Sequence, residues 1–206
     1  MNFTTYAELQ TSIGDELNRT DLTSAIAGFI RLMEAQTERQ LRTRDMIELN
    51  TAFVIDDEYV AIPTDMLEVR SIVLNTNPLT ILDFETAQNI AEFKQAQLEI
   101  GRPSKFSIVG NQFQFARVPD TSYEATLIYF KKFERLSVSN TSNWLLENHP
   151  DIYFYGSLLN SAPYLKDDPR VSVWGALYQN AVDALKIADE RAQTASNGLK
   201  STARNY

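Results

Sequence analysis

The stretch SNWLLENHPDIYFYGSLLNSAPYLKDDPRVSVW, residues 142–174, decides how this chain folds. It holds both tryptophans, the single histidine and a Tyr-Phe-Tyr run. Pro150 is suited to the first turn of one helix, and Asp168 followed by Pro169 is suited to the start of the next. The helix after Pro150 is apolar around most of its circumference. It must therefore be covered on several sides, by the rest of the chain or by a neighbouring subunit.

The residues at the N-terminus predict two further helices. Thr5 and Glu8 have the spacing of a capping box, and Asp21 is expected to cap the second helix. Apolar residues recur at helical spacing in both: Tyr6, Leu9, Ile13 and Leu17, then Leu22, Ile26, Phe29 and Met33. The charged residues of the second helix are expected to form a solvated face: Arg31, Glu34, Glu38 and Arg42. Within this face, Glu38 and Arg42 form a favourable pair.

The middle of the chain alternates between short apolar runs and turn residues, which predicts β-strands. The runs are 53–55, 59–62, 67–74, 104–109, 112–116 and 123–131. Gly110-Asn111 predicts a two-residue hairpin turn between the fourth and fifth runs. Asp83 is expected to cap one inserted helix that continues to about Leu98.

The pattern as a whole predicts an α+β fold. We expect a helical bundle built from the N- and C-terminal helices, with an inserted β-rich, sandwich-like domain. The expected boundaries are 1–45 for the N-terminal helices, 46–136 for the β-rich domain, 137–193 for the C-terminal helices and 194–206 for an extended tail. The last helix has one apolar stripe that we expect to be buried: Trp174, Leu177, Ala181, Leu185 and Ala188.

Composition excludes several classes of function. The chain has 19 basic and 27 acidic residues, a net charge of -8, so its surface should repel nucleic acid and anionic lipid. Without cysteine there is no disulfide, thiol nucleophile or thiolate zinc site, and one histidine cannot build an imidazole cluster. No apolar segment is long enough to cross a bilayer, and we see no secretory signal. We expect a protein that stays where it is made, with no membrane partner.

Catalytic chemistry has few candidate residues in this chain. There is no glycine-rich phosphate loop, and His149 precedes Pro150, where it marks the start of a helix. The candidate acid pairs are Asp56-Asp57 and Asp167-Asp168, and a turn and a helix cap already explain them. Asp56, Asp57 and Glu58 lack the glycine and the ligand spacing of a calcium loop. We therefore expect no catalytic site, no cofactor and no metal.

An ordered set of short motifs carries a family resemblance. They are PTDMLEVR at 63–70, GRP at 101–103, IYF at 128–130, NWLL at 143–146, HPDIYFYGSL at 149–158 and APYLKDD at 162–168. Together, over roughly residues 63–185, they resemble the head-to-tail adaptor proteins of tailed bacteriophages, also called connector or head-completion proteins. The N-terminal helices and the last dozen residues carry none of these motifs.

The resemblance implies a structural protein rather than an enzyme. Such adaptors are assembled in the host cytoplasm and form a ring, usually a dodecamer, between the portal protein and the tail nozzle or tail tube of the virion. Double-stranded DNA passes through the ring in transit. The resemblance also implies docking to the portal through the C-terminal segment, here 194–206, with Lys200, Arg204 and Tyr206 as candidate contacts.

Two questions stay open at this level. The aromatic residues of the opening stretch fit either a core or a subunit interface: Trp144, Tyr153, Tyr155 and Trp174. Two other functions also fit the composition. One is a virion-associated wall-degrading hydrolase that uses paired carboxylates, and the other is a monomeric module that binds a peptide or sugar through its β-rich domain.

Overall fold

The computed structural model describes residues 3–19, 21–96, 100–165 and 168–194. In these residues it contains six α-helices and two four-stranded sheets, which confirms the α+β class. The chain divides into two compact units. The strand unit is Met46–Lys132, and the helical unit combines Met1–Asp45 with Phe133–Tyr206.

The helices and strands have the following bounds. The helices are α1 (Tyr6–Leu17), α2 (Thr23–Gln40), α3 (Ala87–Ala96), α4 (Trp144–Asn148), α5 (Pro150–Asn160) and α6 (Arg170–Thr194). The strands are β1 (Ile47–Ile55), β2 (Tyr59–Ala61), β3 (Met66–Leu74), β4 (Thr80–Ile81), β5 (Asp83–Phe84), β6 (Lys105–Val109), β7 (Gln112–Phe115) and β8 (Tyr123–Lys131). Short 3₁₀ turns lie at Arg44–Met46 and Ala162–Tyr164.

The start of α1 is the capping box that the sequence predicts. The Glu8 N–H donates to Thr5 Oγ1 at 3.3 Å, and the Thr5 N–H donates to Glu8 Oε2 at 3.2 Å. These two bonds satisfy backbone donors that the helix itself leaves unpaired. The apolar face of α1 is buried at Leu9, Ile13 and Leu17.

The start of α2 differs from the prediction that Asp21 caps it. Leu22 occupies the cap position without any side-chain bond, while the Asp21 carboxylate accepts two hydrogen bonds from Arg19, each 2.6 Å long. The charged partner two residues earlier competes successfully with the backbone for this carboxylate. The predicted apolar stripe of α2 is buried as expected: Leu22, Ile26, Phe29 and Met33.

The predicted solvated face of α2 is wrong at two positions. Glu34 is 1% exposed and Glu38 is 9% exposed. Arg135 forms an ion pair with Glu38 at 3.3 Å, so the partner of this carboxylate lies 97 residues further along the chain. The segment that follows Lys132 packs over this side of α2. The spacing of residues within α2 could not predict this contact.

The strand unit is built from two sheets around one core. The first sheet has the order β1-β8-β3-β4, and the second has the order β2-β7-β6-β5. Residues of both sheets form one buried cluster that includes Ile55, Ile72, Leu127, Phe106 and Phe113. The chain crosses between the sheets at buried Leu82, whose N–H bonds to the carbonyl of Ile72 in β3. Pairing is antiparallel except between β5 and β6.

The predicted hairpin is confirmed between β6 and β7. Gly110 has a φ of 59°, a left-handed conformation that glycine adopts without a steric penalty. The run predicted as 123–131 forms β8, which pairs with both β1 and β3. Its alternate residues Ala125, Leu127 and Tyr129 are buried in the core, as the period of two predicts.

The predicted start of the inserted helix is wrong. Asp83 lies in β5, where its N–H donates to the carbonyl of Ser104, and the helix begins only at Ala87. Thr86 performs the cap instead, since its Oγ1 accepts the N–H of Asn89 at 3.2 Å. Pairing with β6 gives the backbone of Asp83 a partner in a strand, which local cap propensity does not take into account.

Helix α5 lies at the centre of the helical unit. Six of its residues are buried: Ile152, Tyr153, Phe154, Gly156, Ser157 and Leu158. An added Cβ at Gly156 would lie 2.9 Å from two ring carbons of Tyr178 in α6, and it would also overlap Met33 in α2. The absence of a side chain at Gly156 therefore allows α5 to approach both neighbouring helices closely.

The buried face of α6 is rotated from the predicted stripe. Trp174 and Leu185 are buried as predicted, but Leu177 is 37% exposed and Ala188 is also exposed. Tyr178 and Val182 are buried in their place. Both sets of residues have helical spacing, and the contact of Tyr178 with Gly156 decides which set is buried.

A Gly156→Ala variant should lower the free energy of unfolding by about 1–3 kcal/mol, because the added methyl overpacks a full core. Gly28→Ala in α2 is the matched control, since a Cβ there meets nothing within 4 Å. The control should gain about 0.5–1 kcal/mol from helix propensity. Urea denaturation measures both, and an equal shift for the two variants would contradict the close packing at Gly156.

Candidate functional site

The junction between α4 and α5 is fixed by Asn143. Its Oδ1 accepts the N–H of Leu146 at 2.9 Å and so caps α4. Its Nδ2 donates to the carbonyl of Glu134 and to the hydroxyl of Tyr153, both at 2.7 Å. His149 lies between the two helices, with its ring 6.4 Å from the ring of Trp144. It occupies the start of α5, the position that the sequence indicates.

Tyr153 lies inside a buried polar network. It is 0% exposed, and its hydroxyl donates to Glu34 Oε1 at 3.1 Å. The same Oε1 accepts the N–H of Leu136 at 2.8 Å. Burial raises the pKa of the Glu34 carboxyl, although both hydrogen bonds act in the opposite direction. Burial, together with the nearby Glu34 charge, also raises the pKa of the Tyr153 hydroxyl.

Tyr155 and Trp174 meet at a groove beside α6. We call it the α6 groove; its volume is about 360 Å³ and it is lined by Glu16, Phe154, Tyr155, Arg170, Val173, Trp174 and Leu177. Trp174 is 4% exposed, and the Arg170 guanidinium lies 5.0 Å from its ring centroid, a cation–π contact. Trp144, the other tryptophan, is half-buried and is not part of the groove lining.

The groove continues into an exposed apolar face of α6 that the sequence reasoning missed. Val173 is 55% exposed and Ile187 is 48% exposed, and with Leu177 they lie outside the core. Their spacing was visible in the sequence, but it competes with a second apolar stripe on the same helix. Exposed apolar residues on one side of a helix make this side a candidate interaction surface.

The strand unit has an exposed apolar patch of its own at the edge of both sheets. We call it the sheet-edge patch: Leu79, Ile81 and Phe84, each more than half exposed. It follows β4 and β5, the terminal strands of the two sheets. The Phe84 ring packs edge-on against buried Phe106 at 5.5 Å, so the patch is continuous with the core. Natural edge strands usually carry charge for protection, and an apolar edge of this kind is suited to a partner.

Two of the candidate acids that the structure describes form hydrogen bonds to the backbone, one in a turn and the other at a helix start. Asp57 accepts the N–H of Glu58 in an exposed turn. Asp168 Oδ1 accepts the N–H of Arg170 at 2.9 Å, and hydrogen bonding to Arg170 lowers the pKa of this carboxyl, the opposite of what a general acid needs. Asp167 lies outside the described residues. In the described part of the chain, no three histidine, cysteine or acidic residues are grouped to hold a metal.

The candidate portal contacts Lys200, Arg204 and Tyr206 also lie outside the described residues. Within the part that the structure describes, no helix is both long and apolar enough to cross a bilayer. The features that stand out are therefore surfaces: the α6 groove with the apolar face beyond it, and the sheet-edge patch.

Exposed apolar faces of this kind are typical of surfaces that contact other proteins. The family model of the SU10 adaptor protein matches residues 4–202, and the chain belongs to this family. The match includes the N-terminal helices, which carry none of the motifs quoted above. No curated protein matches the chain. Membership confirms the family resemblance and indicates a structural adaptor protein of the phage virion neck.

The Glu34 network predicts a pH dependence. The pKa of Glu34 is raised above its ordinary 4.5, so the folded chain binds this proton more readily than the unfolded chain does. Stability is therefore lost as the pH rises through the raised pKa. Glu34→Gln keeps an acceptor and cannot ionise, so its free energy of unfolding relative to the wild type should increase from about pH 4 to about pH 8. Urea denaturation across this range measures the difference.

Glu34→Ala is the control for this experiment. It leaves the Leu136 N–H and the Tyr153 hydroxyl without their acceptor and should cost about 1–3 kcal/mol at about pH 4. Since alanine cannot ionise either, this cost relative to the wild type should become smaller as the pH rises. A Glu34→Gln variant that follows the wild type at every pH would show that burial of the charge has no energetic consequence.

Proposed function

We propose that this chain is a head-to-tail adaptor that assembles as a dodecameric ring between the portal protein and the tail of the virion. The family match over residues 4–202 is the observation that carries the proposal. The exposed apolar faces support it, because a subunit that contacts copies of itself and other proteins must present such surfaces. The ring extends the DNA channel, and the adaptor offers a platform to the tail nozzle or tail tube.

The C-terminal segment 194–206 is the proposed portal contact. It contains Lys200 and Arg204 and no acid, in a chain whose net charge is -8. This local reversal of charge allows it to approach an acidic partner surface that the rest of the subunit would repel. Tyr206 adds an aromatic anchor of the kind enriched at interfaces.

The overall charge is suited to a DNA channel. Each phosphate contact from a lysine or arginine adds affinity for DNA and would retain it. A subunit with 27 acidic and 19 basic residues can line a channel with few such contacts. DNA then passes through the ring in transit without being bound.

The adaptor needs no catalytic residue in this proposal. Glu34, the carboxyl whose pKa burial raises, is held by Leu136 and Tyr153 inside the core, away from any wall substrate. If the chain were a wall-degrading hydrolase, mutation of its acid pairs would abolish lysis of the host wall and leave the virus particles intact. A monomeric binding module would not respond to the portal protein at all.

Mixing the chain with its portal protein tests the proposal. Negative-stain electron micrographs should show an added ring of density on one end of the portal, and native mass spectrometry should give twelve added subunits. Portal particles that stay unchanged after mixing would contradict the adaptor function.

Deletion of 194–206 tests the docking segment separately. The shortened chain should lose portal binding by at least about a hundredfold, since the loss of several interface contacts costs a few kcal/mol. Its thermal unfolding should match the wild type, which shows that the helical unit is intact. The finer variant combines Lys200→Ala, Arg204→Ala and Tyr206→Ala, and portal affinity unchanged in both variants would overturn this docking role.

A further inference from the structure

Helix α6 carries a second helical repeat on its outer side. Spacings of four and three residues connect Val173, Leu177, Asn180, Ala184 and Ile187, and these five residues are all exposed. This is the 3-4 repeat by which helices pack against one another, with one polar residue near its centre. The core of this chain uses a different face of α6. Val173 and Leu177 border α5 at the α6 groove, and beyond the groove the repeat has no partner helix among the described residues.

The flank of this face is acidic. Asp183 and Glu190 are exposed on one side of the repeat and lie about 10.5 Å apart along the helix, at 1.5 Å per residue. The other side of the repeat has small residues, Ala181 and Ala188. A partner helix that fits this face therefore needs apolar or small residues at its centre and basic residues along one edge.

Helix α2 presents an outer face with these properties. Leu32 is 57% exposed, and Gly28 has nothing within 4 Å of the position where its Cβ would be. Arg31 and Arg39 are exposed on the same face, about 12 Å apart along the helix. The separation of these two arginines along the helix is about 1.5 Å longer than that of Asp183 and Glu190, a difference that long arginine side chains can span when the two helices pack side by side.

These two faces cannot meet within one chain. Tyr178 and Met33 contact the same side of Gly156, so the inner faces of α6 and α2 are both occupied by α5 and by the core. The complementary faces point away from this contact. Each face is therefore directed outward from the helical unit.

We propose that α6 of one subunit packs on α2 of the next subunit, with Asp183 and Glu190 opposite Arg31 and Arg39 of its neighbour. Because the two faces differ, the contact is heterologous, and a heterologous contact repeats around a closed ring. The inference rests on the proposed ring and identifies the residues that build it. Pairing of α6 with α6 would close a dimer instead, and in antiparallel packing it would bring the two acidic flanks together.

Paired cysteines test this contact, because the natural chain contains no cysteine. Leu32→Cys and Leu177→Cys together place one thiol on each face, at exposed positions that leave the core intact. After assembly on the portal protein and mild oxidation, non-reducing gels should show a ladder of covalent oligomers up to the complete ring. Each single variant should stay monomeric on the same gel.

Leu32→Cys with Val138→Cys is the matched control, since Val138 is 89% exposed and lies on neither face. This control should give no ladder. Rings in micrographs without a ladder from Leu32→Cys with Leu177→Cys would overturn the contact and leave the adaptor function standing. Dimers from Leu177→Cys alone would also overturn it, in favour of α6 self-pairing. If the wild-type chain forms no ring on the portal, the proposed function and this contact both fail.

Charge reversal provides a second measurement of the same contact. Asp183→Arg with Glu190→Arg places like charges opposite Arg31 and Arg39, and the fraction of subunits in rings should fall at least about tenfold. Adding Arg31→Glu and Arg39→Glu to that chain should restore ring formation. Failure of the restored chain to assemble while it folds normally would contradict the pairing of these flanks.

Discussion

The buried carboxylate of Glu34 is the constraint on which the helical unit depends. A carboxylate away from water must have hydrogen-bond partners, and here they are the N–H of Leu136 and the hydroxyl of Tyr153. Leu136 belongs to the segment by which the chain returns from the strand unit, and Tyr153 belongs to α5. Asn143 extends the network to the carbonyl of Glu134 and to the cap of α4. One polar network thus joins α2, the returning segment, α4 and α5.

Close packing at Gly156 connects this core to the outer surface. Since α5 has no side chain there, Tyr178 of α6 and Met33 of α2 both pack against its backbone. The orientation of α6 follows from that contact, and it leaves Val173, Leu177 and Ile187 outside the core. This orientation leaves an apolar face of α6 exposed to solvent. The close approach at a buried glycine is therefore linked to which residues of α6 stay exposed.

Local signals in the sequence were reliable where the chemistry is local. The capping box at Thr5, the turn at Gly110-Asn111 and the helix start at Pro150 are each satisfied by neighbouring residues, and each prediction is confirmed. The Asp21 cap was wrong because Arg19, only two residues away, binds the carboxylate, and the other wrong predictions lie where a distant partner competes. Asp83 lies in β5, which pairs with β6. Glu34 and Glu38 are covered by a segment about a hundred residues away. For the candidate site, the sequence singled out Tyr155 and Trp174 at the α6 groove but placed Leu177 in the core.

The sequence by itself determined the α+β class, the strands of the hairpin and β8, the aromatic helix after Pro150, the acidic charge and the family resemblance. These follow from periodicity, turn chemistry and composition, which depend on residues close together in the chain. Only the tertiary structure decided which of two apolar stripes of α6 is buried, and that Glu34 lies in the core. Both stripes have the spacing of a helix, so periodicity cannot choose between them. A glutamate in a helix is predicted to be solvated unless its buried hydrogen-bond partners are known. The choice depends on contacts between residues far apart in sequence, and those contacts exist only once the chain has packed.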